Sequence, residues 1–208
     1  MENKFIVSSS PHIRSNEDTS YIMKQVILAL VPVAIAAVYY FRISALFVMF
    51  FCILGTVGSE FLYQKLTKQK STIGDCSAIV TGLLLAFNVP ASLPWWMCIL
   101  GGVFAIIVVK MLFGGLGNNF VNPALAGRAF LLASFPVAMT AWTKTGVNWV
   151  SGGSLDAVST ATPLSFLKSG AAGLAPLKES GVSLMDMALG NIGGCVGETC
   201  AILILLGG

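Results

Sequence analysis

Residues 21–41 and 43–62 are two apolar runs of about twenty residues, separated by one charged residue, Arg42. As a helix at ~1.5 Å per residue the first run is ~32 Å long, against a hydrocarbon core of ~30 Å. Two such runs with a very short turn between them predict two consecutive membrane crossings. The composition agrees: 56% hydrophobic and 10% charged residues, with a mean hydropathy of +0.84, exclude a soluble globular domain and a disordered chain. The net charge of +3 includes no dense Lys/Arg run, so nucleic acid is not a partner. Residues 1–20 are polar and lack an apolar core, which makes them a tail and not a cleavable signal peptide. The fold class is therefore all-α and polytopic, with about six transmembrane segments, some of them short or broken.

Several segments depart from a simple span. Glu60 falls near the end of the second run, where its carboxylate either reaches a neighbour or snorkels to the interface, snorkelling being the favoured account. Lys65, Lys68 and Lys70 follow in a hydrophilic loop. Residues 75–87 are apolar but too short for a relaxed crossing and end at Asn88-Val89-Pro90, so they form either a short tilted span or a broken one supported by protein. A fourth span opens with Pro94-Trp95-Trp96, a pair placed as an interfacial belt, and runs to residue 112 with Lys110 near its far end. After an uncharged glycine and asparagine loop, residues 124–142 are expected to form a fifth span. Arg128 in its first turns either faces protein, water or an anion, or snorkels.

Residues 143–182 form a long loop that contains the hydroxyl-rich decapeptide 155–164. Its Thr162-Pro163 step predicts a short helix to residue 168, with the Thr162 hydroxyl at the N-cap, where backbone N–H groups favour an attached phosphate. Residues 183–208 return to apolar territory, interrupted at 190–194, and carry the intramembrane carboxylate Glu198. The final apolar run has no polar tail after it, so the sequence reads as the N-terminal part of a longer protein. Lys4, Arg14, Lys65, Lys68 and Lys70 assign the tail and the second loop to the cytoplasm. Five crossings then put residues 143–182 outside; if 75–87 does not cross, that side is expected to invert.

The five cysteines lie in or beside apolar segments without a Cys-x-x-Cys spacing, and His12 is the one histidine. They are expected to pack as small hydrophobes, and a cluster bridging two subunits stays open.

Four stretches together resemble one family: Asp75-Cys76-Ser77-Ala78-Ile79-Val80-Thr81-Gly82-Leu83-Leu84-Leu85-Ala86, Pro94-Trp95-Trp96, Phe113-Gly114-Gly115-Leu116-Gly117-Asn118-Asn119-Phe120-Val121-Asn122-Pro123 with Ala124-Leu125-Ala126-Gly127-Arg128-Ala129-Phe130, and Asp156 to Leu164. They are similar to the D subunits of Rnf-type ion-translocating ferredoxin:NAD oxidoreductases, relatives of the B subunit of the sodium-pumping NADH:quinone oxidoreductase. The decapeptide resembles the pattern Asp-x-x-Ser/Thr-x-Ala-Thr at which such subunits carry FMN on threonine, with Thr160 standing where many relatives have glycine. The resemblance implies FMN esterified to Thr162, with Asp156, Ser159 and Thr160 shaping the loop and Arg128 stabilising anionic flavin or phosphate. It implies a noncovalent riboflavin near Asn119 and Asn122, whose amides otherwise satisfy backbone groups in a turn. It further implies an inverted-repeat fold related to urea and ammonium channels and a prokaryotic inner-membrane location. The implied partners are a flavin-carrying G subunit, the membrane A, C and E subunits, lipid, and a flavin transferase. Two other functions compete: a solute channel or transporter of the same fold, and a cofactor-free scaffold.

Overall fold

The computed structural model describes residues 18–142, 185, 189, 190, 192–198 and 201–207. Among them the regular elements are all helical, and the one pairing of extended backbone is an isolated bridge between Pro90 and Cys195. Helix α1, Thr19–Phe41, starts at Asp18, whose carboxylate accepts the Thr19 N–H at 2.8 Å. Arg42 alone reverses the chain, with a φ of 52° that side chains seldom adopt, and α2 follows as Ile43–Leu66. Both helices are long and apolar enough to cross a membrane, as their uninterrupted runs predict.

The third segment is short. A 3-10 turn at Ile73–Asp75 and a left-handed Cys76 lead into α3, Ser77–Phe87. Its 11 residues rise ~16 Å, about half a hydrocarbon core. Helix α4, Trp95–Val103, continues directly into a π-helical stretch, Phe104–Met111. Helix α5 is Pro123–Ser134, and the single fifth span expected over 124–142 is not found: the helix stops at Phe135, and α6, Pro136–Thr140, begins anew. Pro136 accounts for the break, because its ring disfavours helical dihedrals at the preceding residue, and Phe135 sits at φ −133°, ψ 59°. In the last apolar segment the described interruption extends to Glu198, followed by α7, Ala201–Gly207.

Side-chain and backbone contacts fix the relative directions. Along α2, Phe51 meets Trp95, Gly55 abuts Ile99 and Glu60 meets Lys110, so the numbers rise together and α4 runs parallel to α2. Helix α3 runs the other way, with Gly82 against Ile53 and Thr56 while Ser77 reaches Lys110. Helix α5 is antiparallel to α4, since Gly127 abuts Gly101, Phe130 stacks on Phe104 at 4.3 Å and Phe135 meets Trp96. Thus α3 and α4 form a hairpin that returns to the end of the bundle where it began. Trp95 lies level with Phe51, about two turns in from the Arg42 reversal.

Helix α2 is the central post. Of its apolar window 44% is buried, against 11% for α1 at the periphery. The core joins Ala45, Val48 and Cys52 of α2 to Leu85 and Ala86 of α3, Cys98 of α4 and Leu131 of α5. Helix α7 lies on α1, with Gly207 against Ala29 and Pro32.

Candidate functional site

Two polar clusters sit at opposite ends of α3. At its C-terminal end the helix gives way to Asn88-Val89-Pro90, whose backbone, no longer paired within a helix, must find partners. The turn at 192–198 supplies them: Val196 N–H donates to Val89 O at 3.1 Å and Gly197 N–H to Phe87 O at 3.0 Å. Two interrupted segments therefore satisfy one another, which is how irregular backbone is tolerated at membrane depth. Gly197 is required there, because a Cβ at that position would overlap Phe87.

Arg128, half-buried on α5, closes this junction. Its Nη1 donates to Asn88 Oδ1 at 3.1 Å and its Nη2 approaches Cys195 Sγ at 3.9 Å. Asn88 Nδ2 in turn donates to Leu84 O at 2.8 Å, and Cys195 Sγ to Asn88 O at 3.5 Å. Of the two expectations for Arg128, the one with the side chain facing protein is found. Among the described residues no carboxylate lies within ion-pair distance of the guanidinium. A cation with five donors, two of them engaged here, fits an anionic group such as a phosphate or a reduced flavin ring.

The second cluster is one that sequence reasoning missed. Glu60 and Lys110 are 0% and 1% exposed and form an ion pair at 2.8 Å, the one salt bridge among the described residues. Lys110 Nζ also donates to Ser77 Oγ at 2.6 Å, and Ser77 Oγ to Asp75 Oδ1 at 2.6 Å. On the other side Glu60 Oε1 accepts from Thr72 Oγ1 at 2.7 Å and Gln64 Nε2 at 3.1 Å. Glu60 therefore does not snorkel; it binds a neighbour. A buried glutamate and a buried lysine in a chain this poor in charge carry their own signal, since each needs the other in lipid.

The remaining expected site residues divide. Asn122 caps α5, its Oδ1 accepting the Ala124 N–H at 3.0 Å, and Asn119 Nδ2 donates to Val121 O at 2.8 Å. Both amides thus satisfy backbone at the start of α5 and in the loop before it, and neither is hydrogen-bonded to Arg128. Glu198 is exposed, with its Oε2 beside Gly194, and Cys195 packs in the junction. Asp156, Ser159, Thr160 and Thr162, with the loop 143–182 and its short helix, lie outside the described residues. On either side of that stretch, the Ser92 hydroxyl donates to Ala141 O at 3.0 Å and Tyr40 donates to Leu189 O. No group of three or more metal-binding side chains occurs among the described residues.

Comparison with known proteins adds an independent line. Residues 6–208 match the model of the NQR2, RnfD, RnfE family. The D subunit of the Na(+)-translocating ferredoxin:NAD(+) oxidoreductase complex of Acetobacterium woodii is 46% identical over 209 residues, covering all of this chain and 62% of the relative. Its counterpart in the proton-translocating ferredoxin:NAD(+) oxidoreductase complex of Clostridium ljungdahlii is 44% identical over 211 residues, with the same coverage. The D subunit of the ion-translocating oxidoreductase complex of Shigella boydii is 46% identical over 140 residues, 66% of this chain and 40% of the relative. The chain therefore spans 62% of the length of the first two.

Proposed function

Because the chain belongs to the NQR2, RnfD, RnfE family, we propose that it acts as a membrane subunit of an ion-translocating ferredoxin:NAD oxidoreductase. In this reading FMN esterified to Thr162 relays electrons, and their flow is coupled to Na+ or H+ movement. The observation that carries the assignment is the similarity along the entire chain to the D subunits of two such complexes. The sequence Asp156-Ala157-Val158-Ser159-Thr160-Ala161-Thr162 supplies the acceptor hydroxyl.

The redox chemistry belongs to the flavin; the protein supplies attachment, position and electrostatics. A covalent phosphoester prevents loss of a cofactor held at a wet surface. Asp156, Ser159 and Thr160 shape the attachment loop, and Arg128 offers positive charge to an anionic flavin or phosphate. Asn119 and Asn122 border a second, riboflavin-holding region. The subunit works in the inner membrane with the A, C, E and flavin-carrying G subunits, after maturation by a flavin transferase. The N-terminal tail is cytoplasmic and residues 143–182 face outward.

A solute-conducting role is the second reading. The meeting of two interrupted segments at Phe87–Pro90 and Ile192–Glu198 is the kind of geometry that transporters build around a substrate. One experiment separates the two. The full-length protein, expressed with its transferase, is denatured and viewed under ultraviolet light on a gel, and the peptide carrying Asp156 to Lys168 is weighed. The redox reading expects a fluorescent band and a flavin-nucleotide mass that both vanish in Thr162→Val. A dark wild-type band with an unmodified peptide mass overturns it in favour of the conducting role.

A further inference from the structure

We propose that the end of the bundle bearing Lys24, Lys65, Lys68 and Lys70 is a binding site for the phosphate headgroups of anionic phospholipids. The described carboxylates at this end are all engaged elsewhere. Glu60 is buried against Lys110, Asp75 Oδ1 accepts the N–H and the hydroxyl of Ser77, and Asp18 caps α1 through the Thr19 N–H. The four lysines are exposed, and none is ion-paired among the described residues. Lys65 Nζ stands over the Phe61 ring, 5.9 Å from its centroid, a contact that leaves its charge uncompensated.

The backbone that carries these lysines is held in place by neutral groups. Gln64, buried near the end of α2, accepts the Thr72 N–H through Oε1 at 3.1 Å, donates to the Thr72 hydroxyl at 2.7 Å and accepts the Gln69 N–H through its carbonyl at 3.0 Å. Thr67 Oγ1 donates back to Tyr63 O at 2.8 Å. The turn is thereby folded onto the helix end, and Lys68 is kept at a φ of 54°, a conformation that persists only where its surroundings fix it. Helix α1 joins the same patch. The Ser20 hydroxyl donates to Gly74 O at 3.4 Å, and Lys24 lies one turn further along that face. With the backbone already ordered, a bound phosphate has only the lysine side chains left to order.

Depth selects a lipid as the occupant. The 24 residues of α2 rise ~36 Å, ~6 Å more than a hydrocarbon core. With Arg42 at one boundary, the last turn of α2 reaches headgroup level at the other. Around it Tyr21, Ile22, Phe61 and Leu62 are exposed, and Leu66 is 74% exposed. Cationic tips above apolar side chains match a phosphate above its acyl chains, whereas an acidic soluble protein would meet the lysines alone. This inference needs the membrane crossing of α2 and is independent of the flavin reading.

Native mass spectrometry of the full-length protein, in detergent micelles carrying equal amounts of phosphatidylglycerol and phosphatidylcholine, tests it. The wild type is expected to retain phosphatidylglycerol at least about tenfold over phosphatidylcholine, and each single Lys→Gln change at the four positions to lower that preference several-fold. The fourfold Lys→Arg variant is expected to keep it. Glycerophosphoglycerol, the deacylated headgroup, is expected not to displace the lipid. Equal retention of both lipids by the wild type overturns the proposal and leaves the lysines to an acidic protein partner. A preference that survives all four single glutamine changes also overturns it, and so does displacement by glycerophosphoglycerol, which would assign the patch to a soluble phosphate.

Discussion

Lys110 concentrates more consequence than any other described side chain. Removing one member of a buried ion pair leaves the other charged and unpartnered, at a cost of about 3–5 kcal/mol, whereas replacing both members costs far less. Lys110→Met is thus expected to lower the unfolding midpoint of the detergent-purified protein markedly, and Glu60→Gln with Lys110→Met to recover most of that loss. Equal midpoints for the single and double variants would contradict the pairing. Sequence exposes the two charges but not their union, because the pair joins residues 50 apart through the parallel alignment of α2 and α4. Seen alone, Glu60 lies near enough to a span end to suggest the interface. Asn122 is easier: an asparagine followed by proline is a local signature of a helix start, and it caps α5.

At the scale of elements, close approach governs which helices can meet. A Cβ at Gly82 would lie 2.6 Å from Thr56 Oγ1 and 2.8 Å from Ile53 Cα, and backbone cannot yield as a flexible side chain can. Gly82→Val is therefore expected to destabilise the protein by about 1–3 kcal/mol through overpacking. Gly58→Ala, on the open face of α2 where a Cβ meets nothing within 4 Å, is expected to be neutral or slightly stabilising. Thermal melts of the two variants beside wild type test the contrast. The abundance of glycine in apolar runs announces close packing, but not which glycines face a backbone. Long runs make α1 and α2 plain from hydropathy alone. The break at Pro136 is written locally but masked by an apolar pattern that continues through it. The junction at Asn88 depends on a segment more than 100 residues later, and no local pattern predicts such a pairing.

For the whole molecule, the hairpin of α3 and α4 changes how topology should be counted. On a count of spans alone, residues 75–87 decide the side of the long loop, because a failed crossing alters the parity. Yet α4 runs antiparallel to α3, and Ser77 and Lys110 meet at one end of the bundle. Whatever depth α3 reaches, α4 brings the chain back. Helices α5 and α6 then carry it to the end marked by Ser92 and Ala141, and Leu189 is bonded to Tyr40 near the Arg42 reversal. Ala141, before residues 143–182, and Leu189, after them, therefore lie toward the same end, opposite the lysine loop at 65–70. With that lysine loop cytoplasmic by its charge, the proposed topology keeps residues 143–182 outside, where the proposed flavin transferase can reach Thr162. Cysteine labelling in intact cells tests this directly. A membrane-impermeant maleimide is expected to label Ser154→Cys from outside and Lys68→Cys only after permeabilisation. Labelling of Lys68→Cys in intact cells, with Ser154→Cys protected until they are opened, would reverse the orientation and remove the proposed flavin attachment at Thr162 from the outer face.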